Sequence, residues 1–304
     1  MLPRLLLFCL MWLLAQPASA ECVIHLILSG SAPAYQEAAE AFRGELGPRC
    51  ATRVWSAGEL APTELQNLTR GADLVMPVGV GAARLVAEQH GVVAPILSLM
   101  LPRAAAERLY PPVASGRRKA SFVYIDQPAR RSLGLIEAAF PGARRVGMLV
   151  SPENAAVAKN LGQEAARRRL ALNLEYVDSA DDVAPALRRV LAESDVLLLV
   201  PDTLAINAAN ARNVLMATYR QRVPVVGFSQ GLSKAGAVAS AYSSPAQIGR
   251  QGARMAARWL ESGELPPHQA AAEFSIDFNR HVARSLGVTL PDEGEIRRGL
   301  GATE

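Results

Sequence analysis

Apolar runs of four to six residues recur along the chain, each followed by a turn and then by a stretch with helical spacing. The runs stand at 23–28, 52–55, 73–78, 95–99, 122–125, 146–150, 172–177, 196–200, 224–228 and 236–241. Strands apolar on both faces and alternating with helices predict parallel sheets covered on both sides. The intervening helices carry matching stripes: Tyr35, Ala38, Phe42 and Leu46; Leu133, Ile136 and Phe140; Val157, Leu161 and Ala165. The longest stripe is Ile248, Gly252, Met255, Ala256, Trp259 and Leu260. Ten strands are many for one open sheet. The strand and Ser29-Gly30-Ser31 turn near the start have an echo in the strand at 146–150 with its Ser151 turn. The expected fold is therefore α/β, with two Rossmann-like lobes. No Gly/Ser-rich or Pro-rich linker separates them, so ordered strands should make the joint.

The first residues read differently. Arg4 precedes a short apolar run from Leu5 to Ala15, and Ala18-Ser19-Ala20 is a small-x-small cleavage signal. The run stops at Gln16-Pro17, short of the roughly 20 apolar residues a membrane span needs. Residues 1–20 are expected to be a signal peptide cleaved after Ala20, which places the mature chain in the periplasm. Glu21 stands where a lipoprotein signal needs a small residue.

The chain has 304 residues, 50% hydrophobic and 20% charged, with 32 basic and 28 acidic residues. Loss of Arg4 would leave 31 against 28, a formal charge of +3. The basic doublets are dispersed, without the clustered cations and stacking aromatics of a nucleic-acid surface, so no nucleic acid is expected as a partner. Of the 3 cysteines, Cys9 would leave with the signal peptide. Cys22 opens the first predicted strand and Cys50 precedes the second. Neighbouring parallel strands start at one edge, so the two sulfurs can meet as a disulfide; the alternative is two unpaired small apolar residues.

Candidate chemistry is sparse. Gly227-Phe228-Ser229-Gln230-Gly231 matches G-x-S-x-G after an apolar run, the turn that exposes a hydrolase nucleophile. However, little chain follows it, and Asp277 and His281 are poorly spaced to complete a triad. A serine esterase acting through Ser229 is kept as the enzyme alternative, and no enzymatic activity is expected. The four histidines, His25, His90, His268 and His281, form no ligand spacing, so no metal is expected, nor any cofactor. More informative are the polar and small residues just past strand ends: Ser29 and Ser31, Gly79, Ser98, Ser151 with Asn154, Asp202 and Thr203, Ser229, and Tyr242. In open parallel sheets, ligands bind outside the carboxyl ends of strands, so these residues would line a cleft between opposed lobes. Asp202, at the end of the most continuously apolar strand, would suit an amino-bearing ligand.

Several stretches together resemble the substrate-binding proteins of ABC transporters with the type I periplasmic-binding fold, in a branch related to receptors for aromatic amino acids. They are Phe140-Pro-Gly-Ala-Arg-Arg-Val-Gly-Met-Leu149, Val196-Leu-Leu-Leu-Val-Pro-Asp-Thr203, Arg222-Val-Pro-Val-Val226, Lys234-Ala-Gly-Ala-Val-Ala239, Gln247-Ile-Gly-Arg-Gln-Gly-Ala-Arg-Met255 and Asn279-Arg-His-Val-Ala-Arg-Ser-Leu-Gly287. The resemblance implies crossovers at 122–126, 239–243 and 274–278. It divides the chain into one lobe of 21–122 with 244–273 and another of 123–243 with 274–304, so the helix at 245–261 should pack back on the first lobe. It implies ligand contacts near Ser29, Gly79, Asn154, Asp202, Thr203 and Tyr242. The implied function is capture of a small, amino-acid-like ligand by a monomer that docks on an ABC permease in the inner membrane. A sensory protein delivering its ligand to a receptor is the other alternative.

Overall fold

The structure, a computed structural model, describes residues 22–111 and 120–302. The expected signal peptide and its cleavage site lie outside the described residues. The first five strands are β1 (Val23–Leu28), β2 (Ala51–Ser56), β3 (Leu74–Val78), β4 (Ile96–Leu101) and β5 (Ala120–Tyr124). Between them lie α1 (Pro33–Leu46), α2 (Pro62–Gly71), α3 (Val80–Glu88) and α4 (Arg103–Leu109). Next come α5 (Ala129–Ala139), β6 (Arg145–Val150), α6 (Ala155–Arg167), β7 (Ala171–Tyr176), α7 (Val183–Ala192), β8 (Val196–Leu198), α8 (Ala211–Arg220), β9 (Val225–Gly227), α9 (Gln230–Ala235) and β10 (Ala239–Tyr242). The chain ends with α10 (Pro245–Ser262), β11 (Gln269–Ala270), β12 (Ser275–Phe278), α11 (Arg280–Leu286) and α12 (Glu293–Leu300).

These strands form two six-stranded sheets, in the orders β11-β5-β4-β3-β1-β2 and β12-β10-β9-β8-β6-β7. The first is parallel throughout, and β12 runs antiparallel to β10 at the edge of the second. Alternate residues of one strand enter opposite cores. Leu26 and Met76 pack with α1 and α10, whereas Ile27 and Val75 pack with α2 and α3. Covering both faces is why the strands read as unbroken apolar runs.

Three segments pass between the sheets: after β5, after β10, and between β11 and β12. The second passage delivers α10 to the first lobe, where Ile248, Met255 and Ala256 are buried beside Ala38 and Phe42. Gly249 makes that approach possible: a Cβ there would stand 2.2 Å from the Ala38 carbonyl oxygen. Ser244 caps α10 by accepting the Gln247 N–H, while the Gln247 side chain accepts the Ser244 N–H.

Cys22 and Cys50 form a disulfide, with Cα atoms 4.7 Å apart. The register explains the pairing, because Val23 and Ala51, the next residues, are direct partners at one edge of the sheet.

Two sequence expectations need correction. The strand expected at 236–241 begins only at Ala239, because Gly236, at φ 137°, ends α9. Ser98 is not at a strand end: β4 continues to Leu101, leaving Ser98 mid-strand and fully buried, its hydroxyl donating to the Pro77 carbonyl. It cannot line a cleft.

Candidate functional site

Polar groups gather where the carboxyl ends of the two sheets meet. On the first lobe, Ser29 Oγ donates to Val78 O and accepts the Ala82 N–H, both at 2.8 Å. This single hydroxyl ties the end of β1 to the first turn of α3. Gly79, between β3 and α3, has φ 87°, and a Cβ there would lie 2.7 Å from Ser29 Oγ and from the Tyr35 ring. Only glycine fits that turn without displacing both neighbours. Ser31 is exposed on the rim.

On the second lobe, Asp202 is 4% exposed, and both its oxygens are occupied. Oδ2 accepts the Ser151 N–H at 2.7 Å, the Ser151 hydroxyl at 2.9 Å and the Asn154 amide at 2.7 Å. Oδ1 accepts the N–H groups of Leu204 and Ala205, each at 2.9 Å. Burial pushes this carboxyl up, but the Ser151, Ala205 and Leu204 N–H groups and the Asn154 amide outweigh it and hold it below the usual carboxylate range. Asp202 therefore fixes the loop after β8 against the 152–154 turn after β6, and it offers no free oxygen to an ammonium group. Asn154 is 3% exposed, and with its amide committed to Asp202, its Oδ1 has no partner among the described residues. Thr203, next to Asp202 in the chain, is exposed.

Ser229 caps α9 by accepting the Leu232 N–H at 3.2 Å. Among the described residues no histidine is hydrogen-bonded to it. Tyr242 is half-buried at the end of β10. Burial, then the Asp277 charge, pushes its hydroxyl up; Arg297 pulls it down, and Glu37 of the first lobe pushes it up again. β10 leads straight into the passage to the first lobe, where the Ala246 N–H donates to Glu37 of α1 at 3.3 Å.

The lobes touch directly where Arg108 on α4 pairs with Glu153 in the 152–154 turn. Beneath this contact, the passages between lobes are stitched together. Gln127 Nε2 donates to Ser243 Oγ at 3.0 Å, and Ser243 Oγ donates to Glu273 O at 2.7 Å. Arg131, at the start of α5, donates to Ala271 O at 2.8 Å, Ala272 O at 2.7 Å and Gln127 Oε1 at 3.1 Å, with its guanidinium 4.2 Å from the Phe274 ring centre. Asp126 and Gln127 were missed in the list of polar strand ends. The same rule finds them: they stand two and three residues past β5, before Pro128 at the N-cap of α5.

Among the described residues there is no group of three or more metal-ligating side chains, and no helix is long and apolar enough to cross a membrane.

A sequence model of the family described as ABC transporter substrate binding protein matches residues 56–296. No curated protein sequence matches significantly. Among solved structures, the chain resembles a ligand-free, open substrate-binding protein with adhesive properties from Clostridium difficile (17% identity, TM-score 0.69, covering 90% of this chain and 97% of that one). It also resembles an ABC domain from Streptococcus pneumonia in complex with L-Trp (16% identity, TM-score 0.65, 90% and 97%) and a conserved domain protein from Vibrio cholerae (19% identity, TM-score 0.65, 89% and 96%). These likenesses carry the two-lobed, periplasmic-binding-protein-like fold. Members of the matched family bind small solutes and deliver them to a membrane permease. The family model spans most of the chain, and the chain belongs to the ABC transporter substrate-binding protein family.

Proposed function

We propose that the chain is exported by cleavage after Ala20 and acts in the periplasm as a monomer, closing two lobes on a small solute and presenting it to an ABC permease. The observation that carries this reading is the contact of α4 with the 152–154 turn. It sets the carboxyl ends of the two sheets face to face, the arrangement in which open α/β sheets hold ligands. The proposed contacts are Ser31 and the Gly79 backbone on one side, with Asn154 Oδ1, Thr203 and Tyr242 on the other. Ser29, Asp202 and Ser229 act as positioning residues that shape these turns. An amino-acid-like solute is the first to test, because a neighbour of the same fold holds L-Trp. Its amino group would find the free Asn154 acceptor rather than Asp202. In this reading the protein binds without catalysis, and Ser229 serves as the cap of α9.

The experiment is export of the full chain, amino-terminal sequencing, and mass spectrometry of any small molecule released on denaturation. Titration calorimetry with that molecule and with L-tryptophan follows. A terminus at Glu21, one bound solute per chain, and Tyr242→Ala weakening it about 5-fold to 30-fold (about 1–2 kcal/mol) are expected. A chain that retains residues 1–20, or that binds no solute in either assay, overturns the reading. Ester hydrolysis lost specifically in Ser229→Ala would move the case to an esterase.

A further inference from the structure

Where the first lobe hands the chain to the second, a carboxylate is shut away. Asp126, two residues past β5, is 8% exposed. Its Oδ2 accepts the Arg103 N–H at 2.8 Å, and its Oδ1 has no partner among the described residues. It lines a cavity of about 130 Å³ with walls from both lobes: Arg103, Tyr124 and Ala270 on one side, and Val157, Asn160 and Leu161 of α6 on the other. α6 of the second lobe thus walls the cavity that Asp126 lines from the first lobe's side, and separation of the lobes would withdraw that wall.

The groups facing Asp126 do not compensate for this burial. From α4 come Arg103, whose guanidinium lies 4.6 Å over the Tyr124 ring instead of on the carboxylate, and the opposing charge of Glu107. From β5 comes the Tyr124 hydroxyl, with His268 packed against that ring at 5.8 Å. The first turn of α5 presents Pro128 and Ala129, while Arg130 is exposed and Arg131 is turned to the backbone carbonyls of Ala271 and Ala272. The wall from α6 brings two aliphatic side chains and one neutral amide. Burial pushes Asp126 up to about 6; the Arg103 N–H, the backbone N–H of Asp126 itself and the Arg103 charge pull it down, and Glu107 pushes it up.

We propose that Asp126 is a proton-binding site at the joint between the lobes, through which acidification favours the closed arrangement. Opening hydrates the carboxyl and returns it toward its ordinary value of 3.8, so closure takes up a proton. Below about pH 4 both arrangements are protonated and the coupling is flat. Above about pH 6 both are ionised, and closure carries the full cost of burying the charge. Between these limits the closure equilibrium should shift by as much as about 100-fold, two pKa units expressed as a ratio. The inference rests on the two-lobe closure proposed above, but its readout needs no solute, so failure to bind one leaves this test standing.

Small-angle X-ray scattering of the ligand-free, exported chain from pH 4 to 8 reads the separation of the lobes. A radius of gyration that falls on acidification through pH 6 to 4, and an Asp126→Asn variant that stays compact and insensitive to pH, are expected. A pH-independent radius, expansion in acid, or a response that survives in Asp126→Asn would each overturn the proposal. Should that variant not fold, carbon-13 NMR titration of the Asp126 carboxyl in the parent, assigned with Asp126→Glu, decides the matter. A value above about 5 supports the site, and one near 4 ends it.

Discussion

Five donors converge on the two oxygens of Asp202, and this explains why a carboxylate can stand almost fully buried at a strand end without a cation beside it. A residue of this kind sets geometry. Replacing it by alanine leaves the Ser151, Leu204 and Ala205 N–H groups without an acceptor, and unsatisfied buried donors cost about 1–3 kcal/mol each before relaxation. Allowing for water reaching the loop, Asp202→Ala should lose about 2–4 kcal/mol of stability at pH 7, measured by urea unfolding. The pH dependence has a definite sign. The folded-state carboxyl lies below its ordinary value of 3.8, so its contribution is present above that value and disappears as pH falls through the folded one. The parent and variant curves should therefore converge in strong acid. A gap that stays constant from pH 7 down to pH 2 would show that ionisation of Asp202 contributes nothing.

Two glycines on facing helices give opposite expectations at the scale of elements. Gly249 of α10 is pressed against the α1 backbone, whereas Gly44 of α1 has nothing within 4 Å of the position its Cβ would take. Gly249→Ala should force the helices apart and cost about 1–3 kcal/mol, the range for overpacking. Gly44→Ala should gain up to about 1 kcal/mol from helix propensity. Thermal melts of both variants check the pair, and two shifts of the same sign would refute the packing argument. This close approach also marks the boundary of what the sequence conveys. The apolar stripe of α10 announced a buried helix, but its partner follows from the chain returning after β10, a long-range connection that no local period encodes. The central strands were legible because each is covered on both faces. Ser98 was misplaced because three further apolar residues, Leu99, Met100 and Leu101, extend β4 past it. Asp202 was found by its place at a strand end, but its role was not legible, since the five donors that surround it come from two separate turns.

At the scale of the whole molecule, the two lobes have separate cores: among the described residues, the clusters around β1–β5 share no member with those around β6–β10. Coupling between them must then pass through the three connecting segments and the few contacts across the cleft. Arg131 is the most committed group in that joint. It is 9% exposed, and its hydrogen bonds go to two backbone carbonyls of the β11–β12 passage and to the Gln127 side chain rather than to a carboxylate. Burial, and secondarily the Arg130 charge, lowers its guanidinium to about 10, still protonated at neutral pH. A buried cation held only by dipoles owes its place to those bonds, so shortening it to methionine removes the charge, keeps most of the volume and leaves the Ala271 and Ala272 carbonyls without their donor. The expected cost is about 1–3 kcal/mol. Because the lost bonds join the lobes, and methionine can still cover the Phe274 ring of the second lobe's core, that cost should appear as lost cooperativity. Differential scanning calorimetry should show one transition in the parent, and a broadened or split transition in Arg131→Met, with a calorimetric enthalpy exceeding the van't Hoff value. Gln127→Ala, which cuts the Ser243 link but leaves the Arg131 carbonyl bonds in place, should give a smaller change in the same direction. A single sharp transition merely displaced to lower temperature in Arg131→Met would mean that the lobes are coupled elsewhere, and the Arg108–Glu153 contact across the cleft would be the next place to cut.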